Sequence, residues 1–493
     1  MDSVQLPKTP VHCRNFIAGA WQEAAACDSL KVLSPYTGGV IGRVPLSGKT
    51  EVDQAVAGAL TAFSQWRGTP IKERTGRLFN FRNLLQQNLD LIAHTAASES
   101  GKTVEEGRAG VLKGIEVIEF ALSLQNMDHG GAMAVSRGVS CEIHREPLGV
   151  VAGITPFNFP AMVPLWLYPI AITLGNCFIL KPSEKVPLTS QHMGQFMQDA
   201  GYPPGVFSVL NGDKQCAELL ASHPDIRALA FVGSTAAASS LYTRATASGK
   251  RALCLGGAKN QLIVVPDADP GVTPDGVLSS FTGCAGQRCM AASVMMAVGD
   301  TGDLIGRLVE SASRMRLGQD IGAIVSASAK ERICSAIENA ARDGARLLLD
   351  GRKTQPPEGY ENGYWLGPTI MDDVRPEMEC ARQEIFGPVL CIIRTKTLAQ
   401  AMELEARNQY GNATSVFTTS GAVARFVSEH ATSGMVGINV GVPVPREPFS
   451  FGGTKASKFG HGDITGESVL DFWSNRKKIT TKWTVQQDMT WMS

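Results

Sequence analysis

The sequence carries no net charge: Lys and Arg together number 46, and Asp and Glu together number 46. A chain so balanced has no broad field to draw in nucleic acid or an anionic membrane surface, so partners of those classes are not expected. It also lacks the ~20 consecutive apolar residues that a bilayer span requires. Its longest apolar stretch, 161–180, is interrupted by Pro164, Pro169 and Asn176, and a buried helix is the expectation there. The opening ten residues show no charged start followed by an apolar core, so no secretory signal is read in them. The 11 cysteines include no CxxC and no Cys/His cluster at zinc spacing. That pattern excludes the common structural-metal and disulfide frameworks and fits a reduced, cytoplasmic protein whose cysteines are mostly buried as small apolar residues. The general dinucleotide fingerprint GxGxxG is missing, and neither an internal repeat nor a low-complexity run is present.

What remains is the composition of a folded enzyme, 44% hydrophobic and 19% charged. At 493 residues the chain exceeds the ~250–300 residues over which one core grows, so at least two domains are expected. Apolar residues at helical spacing (Val52, Ala55, Val56, Ala59, Ala62, Phe63) predict an amphipathic helix over 51–66, and the same pattern runs through 72–101. Residues 140–145 alternate as a strand does. From Gly149 onward short apolar runs, at 150–154, 177–180, 206–210 and 228–232, alternate with helical stretches, and a second series follows at 261–265, 293–298, 389–393 and 413–417. Such alternation predicts βαβ units with parallel sheets, here in two α/β lobes. The segment 472–483 reads as a closing strand suited to pairing subunits.

Five short motifs stand out from this frame. In Phe281-Thr282-Gly283-Cys284-Ala285-Gly286-Gln287-Arg288-Cys289-Met290, glycines permit a close backbone approach, and a cysteine leaving such a turn can be exposed and activated. The turn itself does not choose between Cys284 and Cys289, and a buried inert cysteine is the common alternative. Thr155-Pro156-Phe157-Asn158-Phe159-Pro160 follows a parallel strand, where α/β sheets bind ligands; Asn158 there suits either oxyanion stabilisation or helix capping. Lys181-Pro182-Ser183-Glu184 also lies at a strand end and can hold ribose hydroxyls or serve as a polar loop. Gly233-Ser234-Thr235 leads a strand into a helix and offers N–H groups to a phosphate. Glu384-Ile385-Phe386-Gly387-Pro388 places a carboxylate before a strand, beside a turn set by Gly-Pro.

Together, in this order and at these distances, PFNFP, KPSE, FVGST, LGGAK, GQRC and EIFGP resemble the aldehyde dehydrogenase superfamily over nearly the whole chain. The resemblance implies that superfamily's α/β fold: a Rossmann-like NAD-binding domain (10–126 and 147–255), an α/β catalytic domain (256–448) and a small β oligomerisation element (127–146 and 465–493) in a dimer or tetramer. It implies Cys289 as nucleophile, with Asn158 and the Cys289 backbone N–H as oxyanion hole. Around NAD it implies Thr155, Pro156, Phe157, Lys181, Ser183, Glu184, Gly233, Ser234 and Glu384, with Phe386 near the nicotinamide. Glu184 beside a ribose 2′-hydroxyl would repel a 2′-phosphate, which favours NAD over NADP.

The departures from the superfamily pattern carry as much information. Hydrolytic members have a glutamate, which activates water, in the motif that here reads Leu253-Cys254-Leu255-Gly256-Gly257-Ala258-Lys259-Asn260; its place falls at Leu255 or Cys254, and neither is an acid. Base assistance contributes typically ~10²–10⁴-fold to such a step, whereas a thiol of pKa near ~8.5 needs little help. Coenzyme A is therefore the expected acyl acceptor. The wording around Asn158, Lys259 and Cys289, and the tail from Pro448 to Trp483, resemble the CoA-acylating methylmalonate-semialdehyde and malonate-semialdehyde dehydrogenases. That branch implies a small anionic aldehyde whose carboxylate is held between two arginines. Arg288 stands at one of them; the other is Lys113, which keeps the charge and loses the bidentate fork. Arg446-Glu447 lies in a loop that is usually uncharged in the branch, and the last glycine expected after FVGST is Ala238. The altered cations keep a second expectation alongside the first: a hydrolytic NAD-dependent enzyme for another anionic aldehyde.

Overall fold

The computed structural model describes residues 4–24, 28–127 and 130–483. Two sheets organise the chain. In the first, five parallel strands, Arg251–Leu255, Ile226–Val232, Val150–Ile154, Cys177–Lys181 and Phe207–Val209, lie side by side in that order. Antiparallel strands close both edges: Lys458–Phe459 beside Arg251–Leu255, and Asn15–Ile17 followed by Ala20–Gln22 beside Phe207–Val209. Of the five parallel strands the chain forms the central one, Val150–Ile154, first, proceeds outward on one side, then returns to that strand's other flank with Ile226–Val232. This reversal opens a crevice at the carboxyl ends of Val150–Ile154 and Ile226–Val232, where doubly wound sheets bind ligands.

The second sheet runs Arg346–Leu349, Thr369–Asp372, Val389–Thr395, Ala292–Val298, Asn260–Val264, Ala413–Phe417, Met435–Ile438, and every pairing except the first is parallel. The link 256–259 leaves the carboxyl end of a strand in the first sheet and enters the amino end of Asn260–Val264 in the second. The carboxyl ends of one sheet thus meet the amino ends of the other across the crevice. A third, antiparallel sheet joins Gly131–Ser136, Val139–Pro147 and Ser474–Lys482.

The proline-broken apolar stretch forms the helix Met162–Thr173, buried at every residue, which needs no amphipathic pattern because it has no wet face. Among the described residues no helix is long and apolar enough to cross a membrane. The helical pattern over 72–101 resolves into two helices, Ile71–Gln87 and Leu89–Ser100, divided at Asn88, whose side-chain amide donates to the Leu84 carbonyl at 2.8 Å. Side-chain periodicity carries through such a break, so the pattern alone does not reveal it. The strand Arg251–Leu255 was read as part of a motif and not as a strand, and it is the element on which the missing base turns.

Candidate active site

The segment after the helix Thr273–Thr282 is built from backbone that ordinary residues avoid. Cys284, Ala285 and Gly286 have φ of 54°, 51° and 67°, three left-handed residues in succession. Each non-glycine there costs roughly 1–3 kcal/mol, so the surrounding structure must hold it. Gly286 is obligatory: a Cβ on it would lie 2.0 Å from the Gly387 carbonyl oxygen. The GQRC and EIFGP motifs are thus in backbone contact. Gln287 fastens the turn from below, its Nε2 donating to the Ala323 carbonyl at 3.2 Å and its Oε1 accepting from Val325 N at 3.0 Å. Asn260 and Asn412 fasten it from the other side, both donating to the Cys289 carbonyl, at 2.6 and 2.9 Å.

The turn separates the two cysteines the sequence left open. Cys289 lines a cleft of about 810 Å³ between the two sheets; Cys284 does not. Cys284 is buried behind it, its Sγ accepting from Lys102 Nζ at 3.3 Å. Asn158 lines the same cleft and donates one N–H to the Gln287 carbonyl at 3.0 Å. An amide has two N–H groups, which leaves one available to an oxygen bound at Cys289. Burial pushes the Cys289 thiol up to about 12, the Glu384 carboxylate adding to it while the cysteine's own N–H and Arg288 pull it down. The isolated site therefore holds a neutral thiol.

Thr155, Pro156, Phe157, Lys181, Ser183, Glu184, Gly233, Ser234, Glu384 and Phe386, all singled out in the sequence, line this cleft. Lys181 Nζ donates to the Pro182 carbonyl at 2.8 Å and sits 3.7 Å from Glu184, and burial lowers its pKa. Ser234 caps the helix Thr235–Ala247, its hydroxyl oxygen accepting from Ala237 N at 3.4 Å, which leaves its O–H free to donate into the cleft it lines. Ala238 is fully buried; Ala236 and Ala237 line the cleft, so the replaced glycine lies away from the phosphate approach. Glu384 accepts from Ala258 N at 2.9 Å, and a Cβ on Gly257 would meet its other oxygen at 2.5 Å, which explains the glycine. Burial raises the Glu384 pKa, opposed by that N–H, Lys259 and Arg332. Phe386, itself left-handed at φ 55°, meets Phe157 edge to face with ring centres 5.7 Å apart. Arg332 lines the cleft and donates to the Ile385 carbonyl at 2.6 Å. Nothing in the sequence singled it out, because it lies on the amphipathic helix Ala327–Arg342 with no motif around it.

Leu255 and Cys254 are buried in the first sheet and neither lines the cleft. The two cations expected at the substrate carboxylate are both engaged. The Arg288 guanidinium lies over Gly283 and donates to the carbonyls of Ser279 and Ser280, while its buried Nε–H has no partner among the described residues. Lys113 Nζ donates to Glu116 at 2.9 Å, to Glu447 at 3.3 Å and to the Pro445 carbonyl at 3.5 Å. Glu447 thus pairs with Lys113, and Arg446 is exposed. No group of acidic, histidine and cysteine residues able to hold a metal ion occurs among the described residues.

A crevice at a strand-order reversal thus opens onto a cysteine beside an asparagine amide. The chain belongs to the aldehyde dehydrogenase family, whose sequence profile matches residues 21–479. It is similar to the acylating, mitochondrial methylmalonate-semialdehyde dehydrogenase of Arabidopsis thaliana, with 41% identity over 97% of this chain and 80% of that one. It is also similar to malonate-semialdehyde dehydrogenase 1 of Geobacillus kaustophilus (strain HTA426), with 39% identity over 97% of this chain and 99% of the other. Among solved structures, it superposes on the methylmalonate-semialdehyde dehydrogenase of Oceanimonas doudoroffii with a TM-score of 0.94 and 39% identity, covering 97% and 99% of the two chains. A candidate methylmalonate-semialdehyde dehydrogenase from Sinorhizobium meliloti 1021, crystallised with NAD, gives a TM-score of 0.95 at 37% identity with the same coverage.

Proposed function

We propose that this enzyme oxidises malonate or methylmalonate semialdehyde with NAD and passes the acyl group, after loss of CO₂, to coenzyme A. The observation that carries this reading is the strand Arg251–Leu255, which buries Leu255 and supplies no carboxylate to the cleft where water would need a base. The cleft suits a dinucleotide: helix N–H groups follow Gly233, and Lys181, Glu184 and the held Glu384 carboxylate lie where sugar hydroxyls need partners. A nicotinamide dinucleotide bound there supplies the hydride acceptor.

In this reading Cys289 loses its proton to solvent as its sulfur bonds to the aldehyde carbon. The second Asn158 N–H and the Cys289 backbone N–H take the developing oxyanion, the step at which preorganised donors are worth most. Departure of hydride leaves a thioester on Cys289. The resemblance gives the substrate carboxylate to Arg288; CO₂ leaves, the thioester enolate left behind takes a proton from solvent, and a coenzyme A thiolate then displaces Cys289 as the free thiolate. Replacing Cys289 by Ala is expected to abolish NADH formation with NAD binding kept, as read by fluorescence titration; retained turnover would overturn the assignment.

We also infer the domain ranges 10–126 with 147–255, 256–448, and 127–146 with 465–493, and a homo-oligomer of a cytoplasmic enzyme. The third sheet supports the oligomer, since its outer residues Met133, Ile143 and Ile479 are exposed apolar side chains. A second reading, hydrolysis of another anionic aldehyde, is favoured by one observation: Lys113 is paired and not free. Product analysis over a panel of semialdehydes separates the two readings, acyl-CoA supporting the first and the free acid the second.

A further inference from the structure

Asn158 and Cys289 are carried by different sheets. Asn158 follows a strand of the first, and the turn that carries Cys289 precedes a strand of the second. Asn158 meets that turn at the Gln287 carbonyl. A second link runs through the segment 101–106, where the helix Leu89–Ser100 gives way to Val104–Met127. The backbone of this segment is docked closely. Ala323 N donates to the Gly101 carbonyl at 2.7 Å, and a Cβ on Gly322 would lie 2.1 Å from that carbonyl oxygen. Tyr36 Oη donates to the Lys102 carbonyl at 2.5 Å. Glu106 Oε1 accepts from Cys284 N at 2.5 Å, while its Oε2 accepts from Thr103 N at 3.0 Å. Lys102 itself is only 4% exposed. Its Nζ donates to Cys284 Sγ at 3.3 Å and lies 3.4 Å from the centre of the Phe159 ring.

We propose that Lys102 is a positioning residue for the oxidation step: by bridging the Phe159 ring and the Cys284 thiol, it sets where the Asn158 amide stands relative to Cys289. The proposal rests on the roles argued above for Asn158 and Cys289. Burying a cation is costly unless its surroundings answer it. Here they answer it with an aromatic face and a sulfur, and each belongs to one side of the reaction. The ring is that of the residue after Asn158 and lines the cleft. The sulfur lies in the left-handed turn that aims Cys289. A cation over an aromatic face is held more strongly where water is excluded. Because the backbone of Lys102 is fixed by Tyr36 and through Gly101, the side chain acts as a strut between the two groups. Loss of the strut lets the amide and the sulfur drift apart, and a misplacement of about 1 Å can cost on the order of 10²-fold in rate.

The test is a double-mutant cycle on the first-turnover rate of NADH formation, at saturating NAD and malonate semialdehyde. Rates are expressed per NAD-binding site counted by fluorescence titration, so molecules that fail to fold do not enter. The members are Lys102→Met, Asn158→Ala and the double variant. Lys102→Met keeps the length of the side chain and removes its charge. It should slow the first turnover by about tenfold, a partial misplacement, with the dissociation constant of NAD unchanged. In the Asn158→Ala background the same substitution should cost less than about twofold, since the amide it places is gone. A lysine serving stability alone would leave the per-site rate unmoved, or lower it equally in both backgrounds, and either result would overturn the proposal. If Lys102→Met binds no NAD, Phe159→Leu takes its place in the cycle. That variant removes the aromatic face and keeps the charge, and the same two results decide. Asn158→Ala turning over at the parent rate, or a parent enzyme with no turnover of malonate semialdehyde, would instead overturn the proposed function.

Discussion

At Cys289, half-buried at the wall of the cleft, the dominant physical fact is desolvation. The thiol is pushed to about 12 by desolvation and by Glu384, so near neutral pH it is protonated in the free protein. Alkylation of Cys289 by iodoacetamide should keep accelerating with pH from roughly 7 to 10, without levelling near the ordinary thiol value of ~8.5. Glu384→Gln removes the carboxylate that adds to the shift, so its alkylation curve should move to lower pH. An unshifted curve would show that Glu384 does not act on the thiol. Asn158 contributes through one amide N–H, the other being spent on the Gln287 carbonyl. Asn158→Ala should lower kcat by about 10²–10³-fold with little change in KM, the loss typical of one oxyanion donor. From the local motifs alone these two residues were legible only as a choice, Cys284 or Cys289, capping or oxyanion, and it was the superfamily resemblance that pointed to Cys289 and to the oxyanion role. The choice was hidden because it depends on three left-handed residues that turn Cys284 inward and Cys289 toward the cleft.

The catalytic turn and the strand Arg251–Leu255 are the elements that decide the chemistry. The turn cannot accept a side chain at Gly286, where a Cβ would meet the Gly387 carbonyl oxygen and φ is 67°. Gly286→Ala should destabilise by at least ~2 kcal/mol and lower Tm, with activity falling further than stability because Cys289 is displaced. The strands at 150–154 and 413–417 could be read directly, since buried parallel strands are continuous apolar runs. Arg251–Leu255 was harder: Gly256 and Gly257 follow it at once, and the segment was legible only as part of the motif that lacks the glutamate. Lys113 and Arg288 were visible as candidate cations, but one partner of Lys113, Glu447, lies 334 residues away. Pairings across such separations leave no local pattern to read.

Across the whole molecule, two sheets meet with opposite strand ends at one crevice, and this explains why the site residues come from both lobes. In the first sheet they end or follow strands, at Lys181, Thr155 and Gly233; in the second they precede them, at Cys289 and Glu384. The rule that ligands gather at carboxyl ends of strands therefore located half of the site from sequence and motif spacing the other half. The central claim concerns the acceptor of the acyl group, and it is tested most directly by stopped-flow NADH formation from malonate semialdehyde with and without coenzyme A. With coenzyme A, steady turnover and one acetyl-CoA per NADH are expected. Without it, a burst of about one NADH per active site should be followed by a much slower phase, because the strand Arg251–Leu255 supplies no base to make an acceptor of water. Equal steady rates in the two conditions, with free acid as product, would contradict the account.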